Sequence, residues 1–244
     1  MKSVIVGGTA GLGREIATIL AEQGHSILII GKDKKDVDSS VADLQIRYGK
    51  DVYGIAVDAS NHYIFSETLT AASLIFGNIN YLFLPIGASD QQDNADIEIT
   101  KFNEIMSSNF FSVVLAVKVF RSKFNIEEES AIIGFSSISA IRGRDNNVIY
   151  AASKRALESY FESLRMIFSD TRTLVKFYRI GYLDTNQAYG KRLLFPKANP
   201  EKAARKIVSR LNKPRLVTYL PRYWKVISIL VKIAPIGLYK KITA

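Results

Sequence analysis

A tyrosine and a lysine four residues apart, in the segment YAASK at residues 150–154, form the first pattern with a clear chemical use. If the segment is helical, this spacing places the phenol of Tyr150 and the ammonium of Lys154 on one face. A nearby cation favours the phenolate and lowers the pKa of a tyrosine towards neutrality. Such a tyrosine can donate a proton to a carbonyl oxygen that becomes an alcohol. The alternative is a packed tyrosine with a solvated lysine, which is the commoner meaning of this spacing on its own.

Polar side chains that could assist this chemistry precede it along the chain. Ser136, Ser137 and Ser139 follow an apolar run at 131–135. Ligands of open parallel sheets bind beyond the carboxyl ends of the strands, so these serines are candidates for contact with a substrate. Asn109, in the segment SSNFF of an earlier helical stretch, is a further candidate. The alternatives are a strand-end cap for Ser137 and a bond from Asn109 to a backbone group.

Three glycines near the amino terminus indicate that something approaches the backbone closely. Gly7, Gly11 and Gly13 separate an apolar run at 3–6 from a helical pattern at 14–23. A helix N-terminus carries unpaired N–H groups and the positive end of the dipole, so a turn without Cβ atoms allows a phosphate to bind there. The pyrophosphate of a dinucleotide fits this description. The alternative is a tight strand-to-helix connection with no ligand.

The elements that must position these groups follow from the hydrophobic pattern. Further apolar runs of strand length lie at 26–30, 52–57, 81–84, 131–135, 174–178 and 216–220. Helical spacing relates Val37, Val41, Leu44 and Tyr48, and longer amphipathic stretches cover 97–124 and 150–168. Apolar strands that alternate with helices predict an α/β fold, a doubly wound parallel sheet of about seven strands of the Rossmann type. We expect a single domain over residues 1–220, with a basic amphipathic helical extension at 221–244.

Taken together, the glycine turn, Asn109, Ser137, Tyr150 and Lys154 resemble the motifs of the short-chain dehydrogenase/reductase family. The resemblance covers residues 3 to about 185 in the family's order and spacing. It implies that Tyr150 is the general acid/base for a carbonyl oxygen and that Ser137 binds the same oxygen. It also implies that Lys154 holds the nicotinamide ribose and lowers the pKa of Tyr150. Asn109 would bind a water that links Lys154 to solvent.

The resemblance further implies which residues contact a dinucleotide cofactor. They are Gly7, Thr9, Ala10, Gly11, Leu12, Gly13, Lys32, Asp58, Ala59, Gly87, Tyr150, Lys154 and Thr185. NAD-dependent members usually carry an acid after the second strand, whereas this chain has Gly31 and Lys32. A cation at Lys32 attracts a 2′-phosphate, so NADP is the expected cofactor and NAD the alternative. The acid at Asp33 nearby weighs against NADP. The alternative for Lys32 is a solvated turn lysine that has no part in cofactor choice. Asp58 would meet the adenine or cap a helix.

Two segments depart from the family pattern. The family usually has Asn-Asn-Ala-Gly after the fourth strand, whereas this chain has Leu-Pro-Ile-Gly at 84–87. A Pro-Gly pair usually follows the sixth strand, and here Ile180 and Gly181 stand in its place, although Thr185 keeps its spacing. Neither change removes a catalytic group. Both indicate a divergent member and leave loss of turnover open as an alternative.

Length and composition limit the classes of function that remain open to this chain. A chain of 244 residues with 48% hydrophobic content can form one substantial core. It has no cysteine, which excludes disulfides and thiolate catalysis, and its two histidines, His25 and His62, cannot form a metal cluster. No metal is therefore expected. No secretory signal precedes the first strand at Ser3, so the cytoplasm is the default localisation.

The basic charge is confined to the end of the chain. Residues 202–244 hold 11 Lys/Arg and no acid, while residues 1–201 hold 22 Lys/Arg and 23 Asp/Glu. A helix after Pro221 would place Arg222, Lys225, Ser228 and Lys232 in one polar stripe, with Trp224, Val226, Ile227, Leu230, Val231 and Ile233 over the rest. This composition suits peripheral membrane contact through residues 222–244. The alternative is packing over the substrate cleft or into a subunit interface. No nucleic-acid motif occurs, and no nucleic acid is expected.

We therefore expect an NADP(H)-dependent oxidoreductase that interconverts a carbonyl and a secondary alcohol of a small molecule, in the reducing direction. Membrane contact would favour an apolar or lipid-linked substrate, with Leu193, Leu194 and Phe195 of the loop at 184–200 lining the opening of the site. The alternatives are a catalytically silent dinucleotide-binding regulator and a membrane-peripheral scaffold of the same fold. The helices at 97–124 and 150–168 pair subunits in relatives, so the resemblance implies a homodimer or homotetramer.

Overall fold

One parallel sheet organises the chain. The computed structural model describes residues 1–49, 51–94, 96–124, 128–185, 195–213 and 217–243, and within them seven strands pair in the order β3-β2-β1-β4-β5-β6-β7. The strands are β1 (Lys2–Val6), β2 (Ser26–Gly31), β3 (Val52–Ala56), β4 (Tyr81–Leu84), β5 (Ser130–Ser137), β6 (Thr173–Ile180) and β7 (Val217–Leu220). The order reverses between β1 and β4, which is the switch point of a doubly wound fold. The predicted fold class is confirmed.

Helices connect the strands and cover both faces of the sheet. They are α1 (Gly11–Glu22), α2 (Lys34–Tyr48), α3 (His62–Phe76), α4 (Ile99–Met106), α5 (Ser112–Phe120), α6 (Val148–Ile167), α7 (Pro200–Val208), α8 (Trp224–Ile233) and α9 (Ile236–Thr243). A π-helical turn at Ser107–Phe111 joins α4 to α5. By length and composition the whole run at 99–123 could cross a membrane. However, it buries Val113, Val117 and Phe120 against the sheet, as a core helix of the domain does.

Alternation along each strand divides the core into two layers. Val4 and Val6 of β1 join the cluster under α3, α5 and α6, whereas Ile5 joins the cluster with α1 and α7. Successive strand side chains point to opposite faces, and a sheet covered on both faces must be apolar on both. This requirement explains why the strands read as continuous apolar runs.

Close contacts hold α6 against β5 and β6. A Cβ atom on Gly134 of β5 would lie 2.3 Å from the ring of Phe161, so only glycine permits this approach. Glu158 of α6 accepts two hydrogen bonds from Arg179 of β6, at 2.9 and 2.6 Å, and a third from Ser136 at 2.8 Å. A buried ion pair of this kind is stable when its remaining polar atoms are also satisfied. These contacts fix the helix that carries the Tyr–Lys pair.

The C-terminal extension packs on the domain along one narrow face. Trp224 and Ser228 of α8 are buried, and Arg142 donates a hydrogen bond to the carbonyl of Val231 at 2.9 Å. The predicted polar stripe is therefore wrong at Ser228, which faces the domain because it shares its helix face with Trp224. Lys225 and Lys232 remain exposed as expected.

Candidate active site

A cavity of about 730 Å³ opens at the carboxyl ends of the strands, beside the switch point between β1 and β4. Nearly all of the predicted site residues line it. These are Gly7, Thr9, Ala10, Gly11, Leu12, Gly13, Lys32, Asp58, Ala59, Gly87, Ser137, Tyr150, Lys154 and Thr185. Asn109 is the exception, because it lies fully buried next to the cavity wall. Cavities of this size and position are typical of small-molecule sites in α/β folds.

The glycine turn forms the narrow part of the cavity. Gly7 has φ +92°, and a Cβ atom there would lie 2.8 Å from the Cα of Ile86. α1 begins with Ala10 as its N-cap and has neither a side-chain cap nor an acid in its first turn. Its first N–H groups are therefore not satisfied by a capping side chain and can bind an anion. Ile86, in the segment that departs from the family pattern, packs against this turn.

An ion pair marks the end of the cavity near β2 and β3. Lys32 lies 3.0 Å from Asp58, and both side chains are substantially exposed. The pair raises the pKa of Lys32, chiefly through the hydrogen bond to Asp58, so Lys32 carries its charge at neutral pH. Asp33 instead caps α2, accepting a hydrogen bond from Asp36 N at 3.0 Å, and leaves Lys32 as the cation facing the cavity. Asp58 does not cap α3, because Asn61 does.

The opposite end of the cavity brings Ser137 and Tyr150 together. Burial raises the pKa of Tyr150, while a hydrogen bond with Ser137 and the positive charge of Arg144 oppose the rise. The predicted lowering of this pKa by Lys154 is therefore wrong in direction, because burial is the larger effect. The phenol is protonated at neutral pH. Ser137 also caps the short 3₁₀ turn at Ile138–Ile141 through Ser139 N at 3.1 Å, so its predicted alternative as a strand-end cap is also correct.

Lys154 lies in a buried position against backbone carbonyl groups. Its Nζ is 3.4 Å from the carbonyl oxygen of Ile86 and 3.3 Å from that of Phe135. Burial lowers the pKa of Lys154 to about 8, because desolvation disfavours the ammonium form. A Cβ atom on Gly87 would lie 3.0 Å from this Nζ. It would also lie 2.8 Å from Asn109 Oδ1, so glycine at this position leaves room for both side chains.

Asn109 links three parts of the site. Its Oδ1 accepts a hydrogen bond from Ala88 N at 2.7 Å, and its Nδ2 donates to Ala88 O and to Ser153 Oγ. The alternative assigned to it from sequence, a bond to the backbone, is therefore present. Asn109 lies inside the π-helical turn, where the widened backbone re-aims a side chain. It ties the loop after β4 to α6, next to Lys154.

Asp93 is a positioning residue that the sequence analysis missed. Its side chain is 1% exposed, and its two carboxylate oxygens accept hydrogen bonds from Ile149 N and Tyr150 N, each at 2.8 Å. Its own carbonyl oxygen accepts a bond from Asn147 N at 2.7 Å. Asp93 thus satisfies the N-terminus of α6 in place of a local N-cap. Asn147 occupies the N-cap position of α6 but makes no side-chain cap hydrogen bond. It has φ +59°, which a non-glycine residue rarely adopts.

Aromatic side chains cluster beside the end of β6, where Tyr182 lines the cavity. Trp224 lies so near Gly181 that a Cβ atom there would be 1.9 Å from its Nε1, which explains why glycine is retained at the second altered segment. The Trp224 ring contacts Tyr182 and Phe195 at centroid distances of 5.2 and 4.9 Å. Phe195 thus packs on Trp224 and is not among the residues that line the cavity, whereas Leu193 and Leu194 lie outside the described residues. Thr185 approaches Gly11 across the cavity.

This geometry suits proton transfer next to a bound dinucleotide. At one end are a charged lysine and a glycine turn, which fit the phosphates and ribose of such a cofactor. At the other end are a protonated phenol, a serine hydroxyl and a buried lysine. The residues present therefore fit a nicotinamide dinucleotide, whose reacting ring would lie near Tyr150 and Lys154.

Known proteins resemble this chain in sequence and in fold. The family model described as short chain dehydrogenase matches residues 2–192. The L-rhamnose 1-dehydrogenase (NADP(+)) of Thermoplasma acidophilum is 28% identical over 221 residues, covering 87% of this chain and 84% of the relative. The alcohol dehydrogenase of Thermococcus sibiricus, solved with 5-hydroxy-NADP, superposes with TM-score 0.78 at 18% identity, over 89% of this chain and 94% of that chain. A Burkholderia cenocepacia short chain dehydrogenase solved with NADP gives TM-score 0.78 at 20% identity, over 87% and 90%.

Proposed function

Because the chain belongs to the short-chain dehydrogenase family, we propose that this oxidoreductase uses NADP(H) to reduce a small-molecule carbonyl to a secondary alcohol. The observation that carries the proposal is the protonated phenol of Tyr150, hydrogen-bonded to Ser137 at the catalytic end of the cavity. With its pKa above neutrality, the phenol carries at pH 7 the proton that it must donate. When bound, the nicotinamide supplies the hydride.

The residues of the chain supply the remaining chemistry. The O–H of Tyr150 donates its proton to the carbonyl oxygen as charge develops there, and the hydroxyl of Ser137 donates a hydrogen bond to the same oxygen. Lys154 binds the ribose hydroxyls. Its pKa of about 8 also allows it to exchange a proton near neutral pH, so it can return the proton that Tyr150 gives up. Asn109 holds the backbone at Ala88 and the start of α6 in register for this exchange.

Two observations support NADP as the cofactor. Lys32 is charged and lines the cavity at the position where a 2′-phosphate would lie, and Asp33 is turned away to cap α2. The relative from Thermoplasma acidophilum is NADP(+)-dependent by name. The phosphate would take the place of Asp58 beside Lys32, leaving Asp58 for the adenine.

The test is NADPH oxidation by purified protein with a panel of ketones, aldehydes and keto-sugars. Tyr150→Phe removes the proton donor and keeps the ring, so turnover should fall by about 10²- to 10⁴-fold while NADPH affinity stays unchanged. Tyr160→Phe is the matched control, since Tyr160 lies on the same helix in an aromatic contact with Phe110 and does not line the cavity. It should retain full activity. Equal activity in Tyr150→Phe and wild type would refute the proposed role.

The rival function is a dinucleotide-binding regulator without turnover. It predicts that NADPH binds to the wild type but that no carbonyl compound in the panel is reduced. The altered segments at 84–87 and at Ile180 do not favour it, because both pack around the site without displacing Ser137, Tyr150 or Lys154. We therefore place the enzyme first.

We also propose a cytoplasmic location at a membrane surface. The supporting observation is that α8 and α9 present exposed apolar side chains away from the domain. Contact with a membrane would bring an apolar or lipid-linked substrate to the side of the cavity lined by Tyr182, which Trp224 contacts. Subunit pairing through α4, α5 and α6, as a homodimer or homotetramer, stays a prediction.

A further inference from the structure

Arg144 is a cation at the catalytic end of the cavity that the proposed mechanism does not use. It lies between the 3₁₀ turn at Ile138–Ile141 and α6, and it lines the cavity together with Ser139 and Tyr150. Its Nη2 donates a hydrogen bond to Ser139 Oγ at 2.5 Å. Its Nε is buried and has no hydrogen-bond partner among the described residues. No carboxylate of the described chain lies within 4.0 Å of it.

An arginine that has an unsatisfied N–H group and no carboxylate partner among the described residues can bind an anion. A buried N–H without a partner costs free energy, and native proteins satisfy most such groups with protein, water or ligand. The planar guanidinium presents parallel N–H donors that match a carboxylate or a phosphate. The bond to Ser139 holds one side of the group. Nε stays without a partner among the described residues, while the Arg144 side chain lines the cavity.

The other charged groups that line the cavity have different partners. Asp58 and Glu104 interact with Lys32 at the far end, and Glu15 interacts with Arg14 of α1. Asp184 lies 3.6 Å from Lys197. Lys154 faces the backbone carbonyls beside the proposed ribose position. Among the described residues near Tyr150, Arg144 therefore remains as a cation for the substrate itself.

We propose that the substrate carries an anionic group, a carboxylate or a phosphate, which Arg144 binds while the carbonyl lies against Tyr150 and Ser137. Tyr182 and Leu183 also line the cavity and suit an apolar chain on the substrate. The substrate class is thus an oxo acid or an oxo phosphate. This inference rests on the proposed function, and it adds the group by which substrates are selected.

The experiment compares anionic substrates with their neutral partners. The probes are 4-oxopentanoate, 5-oxohexanoate and 7-oxooctanoate, each against its methyl ester, and dihydroxyacetone phosphate against dihydroxyacetone. The quantity is the ratio of kcat/KM for the anion to kcat/KM for its partner. Because Arg144 also acts on Tyr150, its removal changes turnover of both partners, and the ratio cancels that shared effect. A preference for the oxo acids over their esters indicates a carboxylate site, and a preference for dihydroxyacetone phosphate over dihydroxyacetone indicates a phosphate site.

Arg144→Gln should lower the anion-to-neutral ratio by about 10- to 100-fold, as expected for the loss of a charge-assisted bidentate contact. Arg144→Lys keeps the charge without the planar fork and should restore part of the ratio. The control is Arg155→Gln, because Arg155 donates to Ala140 O at 2.9 Å and so supports the same 3₁₀ turn without lining the cavity. It should leave the ratio unchanged. A wild-type ratio near one for every pair, or a ratio that Arg144→Gln does not alter, would overturn the proposal.

A binding measurement separates this inference from the proposed function. Hexanoate and inorganic phosphate are titrated calorimetrically into the wild type and Arg144→Gln, with and without saturating NADP⁺. If no carbonyl compound is reduced but one of the anions binds the wild type and not the variant, the proposed reductase fails and the anion site stands. If neither anion binds the wild type in any state, the anion site is overturned, even when neutral ketones are reduced.

Discussion

At the scale of single residues, the protonation states follow from burial more than from neighbouring charge. Tyr150 and Lys154 both lie in the cavity wall, and burial moves their pKa values in opposite directions, up for the phenol and down to about 8 for the ammonium. Desolvation disfavours whichever form is charged. At neutral pH the pair therefore holds a neutral donor beside a cation that titrates just above the physiological range. The phenol thus carries a proton that it can deliver, and Lys154 lies close enough to the neutral range to exchange one.

The first prediction concerns the pH dependence of cofactor affinity. The protonated form of Lys154 is the better partner for the ribose of an anionic dinucleotide, and its pKa in the free protein is about 8. As pH rises through that value, binding requires uptake of a proton, so affinity for NADPH should fall by up to about tenfold per pH unit. Lys154→Met should bind more weakly at pH 7 and show no such fall. NADPH fluorescence titrations between pH 6.5 and 9.5 measure both.

A lysine outside the cavity provides the control for this titration. Lys34 pairs with Asp38 on the surface of α2 at 2.7 Å, and Lys34→Met should keep the wild-type pH profile. Lys32 does not titrate in the same window, because its pKa is raised. The same pH dependence in Lys154→Met as in the wild type would assign the effect to another group.

The second prediction concerns the choice of cofactor. Lys32→Ala removes the proposed partner of the 2′-phosphate and leaves the Asp58 carboxylate to repel it, so NADPH affinity should fall by roughly 10-fold or more. NADH lacks that phosphate, and its affinity should change little. Lys34→Ala, two residues away and outside the cavity, should affect neither. The contradicting outcome is an equal loss of NADPH and NADH affinity in Lys32→Ala, which would make the lysine structural.

At the scale of secondary-structure elements, the site depends on how α6 is held. Its first turn is capped by Asp93 from the loop after β4, and its middle is held by Glu158 against Arg179 of β6. The two contacts act on different parts of one helix. Asp93 sets the position of the Tyr150 backbone, whereas Glu158 sets the depth at which the helix packs on the sheet.

The third prediction tests this role of Asp93. Asp93→Ala removes two acceptors from the amides of Ile149 and Tyr150, so unfolding free energy should fall by about 1–2 kcal/mol, as for the loss of an N-cap. The phenol would lose its fixed position, and kcat should fall by about tenfold or more at unchanged NADPH affinity. Denaturant melts and steady-state kinetics measure the two effects. A parallel loss of NADPH affinity would indicate general disruption instead.

The control for this prediction lies in the same loop. Asp96 is exposed and is bonded through its backbone N–H to Asn94 Oδ1 at 2.8 Å, so its side chain can be removed without affecting α6. Asp96→Ala should therefore retain stability and kcat. Asp93→Asn, which keeps one acceptor oxygen, should lie between the alanine variant and the wild type.

The sequence was sufficient for the order of strands and helices and for the residues of the cavity wall, because hydrophobic periodicity and short-range spacing are local properties. It predicted the strand ends within three residues, and Tyr150, Lys154 and Ser137 lie in one cavity as the resemblance implied. It did not predict the hydrogen bond from Tyr150 N to the side chain of Asp93, because the two residues are 57 positions apart in the chain. Nor did it predict that Gly181 accommodates Trp224. Such contacts are set by tertiary packing and leave no periodic signal.

At the scale of the whole molecule, the C-terminal extension joins the site to the outer surface. On its inner side, Trp224 contacts Tyr182, which lines the cavity, and Arg142 holds both helices through Val231 O and a ring contact with Tyr239. On its outer side, apolar residues are more than half exposed: Val226, Ile229, Leu230, Ile233, Ile236 and Leu238. Lys225 and Lys232 flank this surface, and no acid follows Glu201 in the chain. Exposed apolar residues flanked by cations are typical of helices that bind anionic lipid.

The fourth prediction tests this surface with lipid vesicles. The wild type should co-sediment with vesicles of phosphatidylcholine that contain phosphatidylglycerol, less with phosphatidylcholine alone, and less at high salt. The double variant Ile229→Ser with Ile233→Ser should bind about 10- to 100-fold more weakly, since two apolar side chains no longer enter the lipid. Ile75→Ser is the matched control, because Ile75 is 89% exposed on α3, away from the basic extension. It should bind as the wild type does. Point substitutions are preferable to deleting residues 222–244, because the deletion also removes Trp224, which packs against Gly181 and Tyr182 of the cavity wall. Binding that survives the double variant, or the absence of binding to any vesicle, would leave the extension as a packing element of the domain.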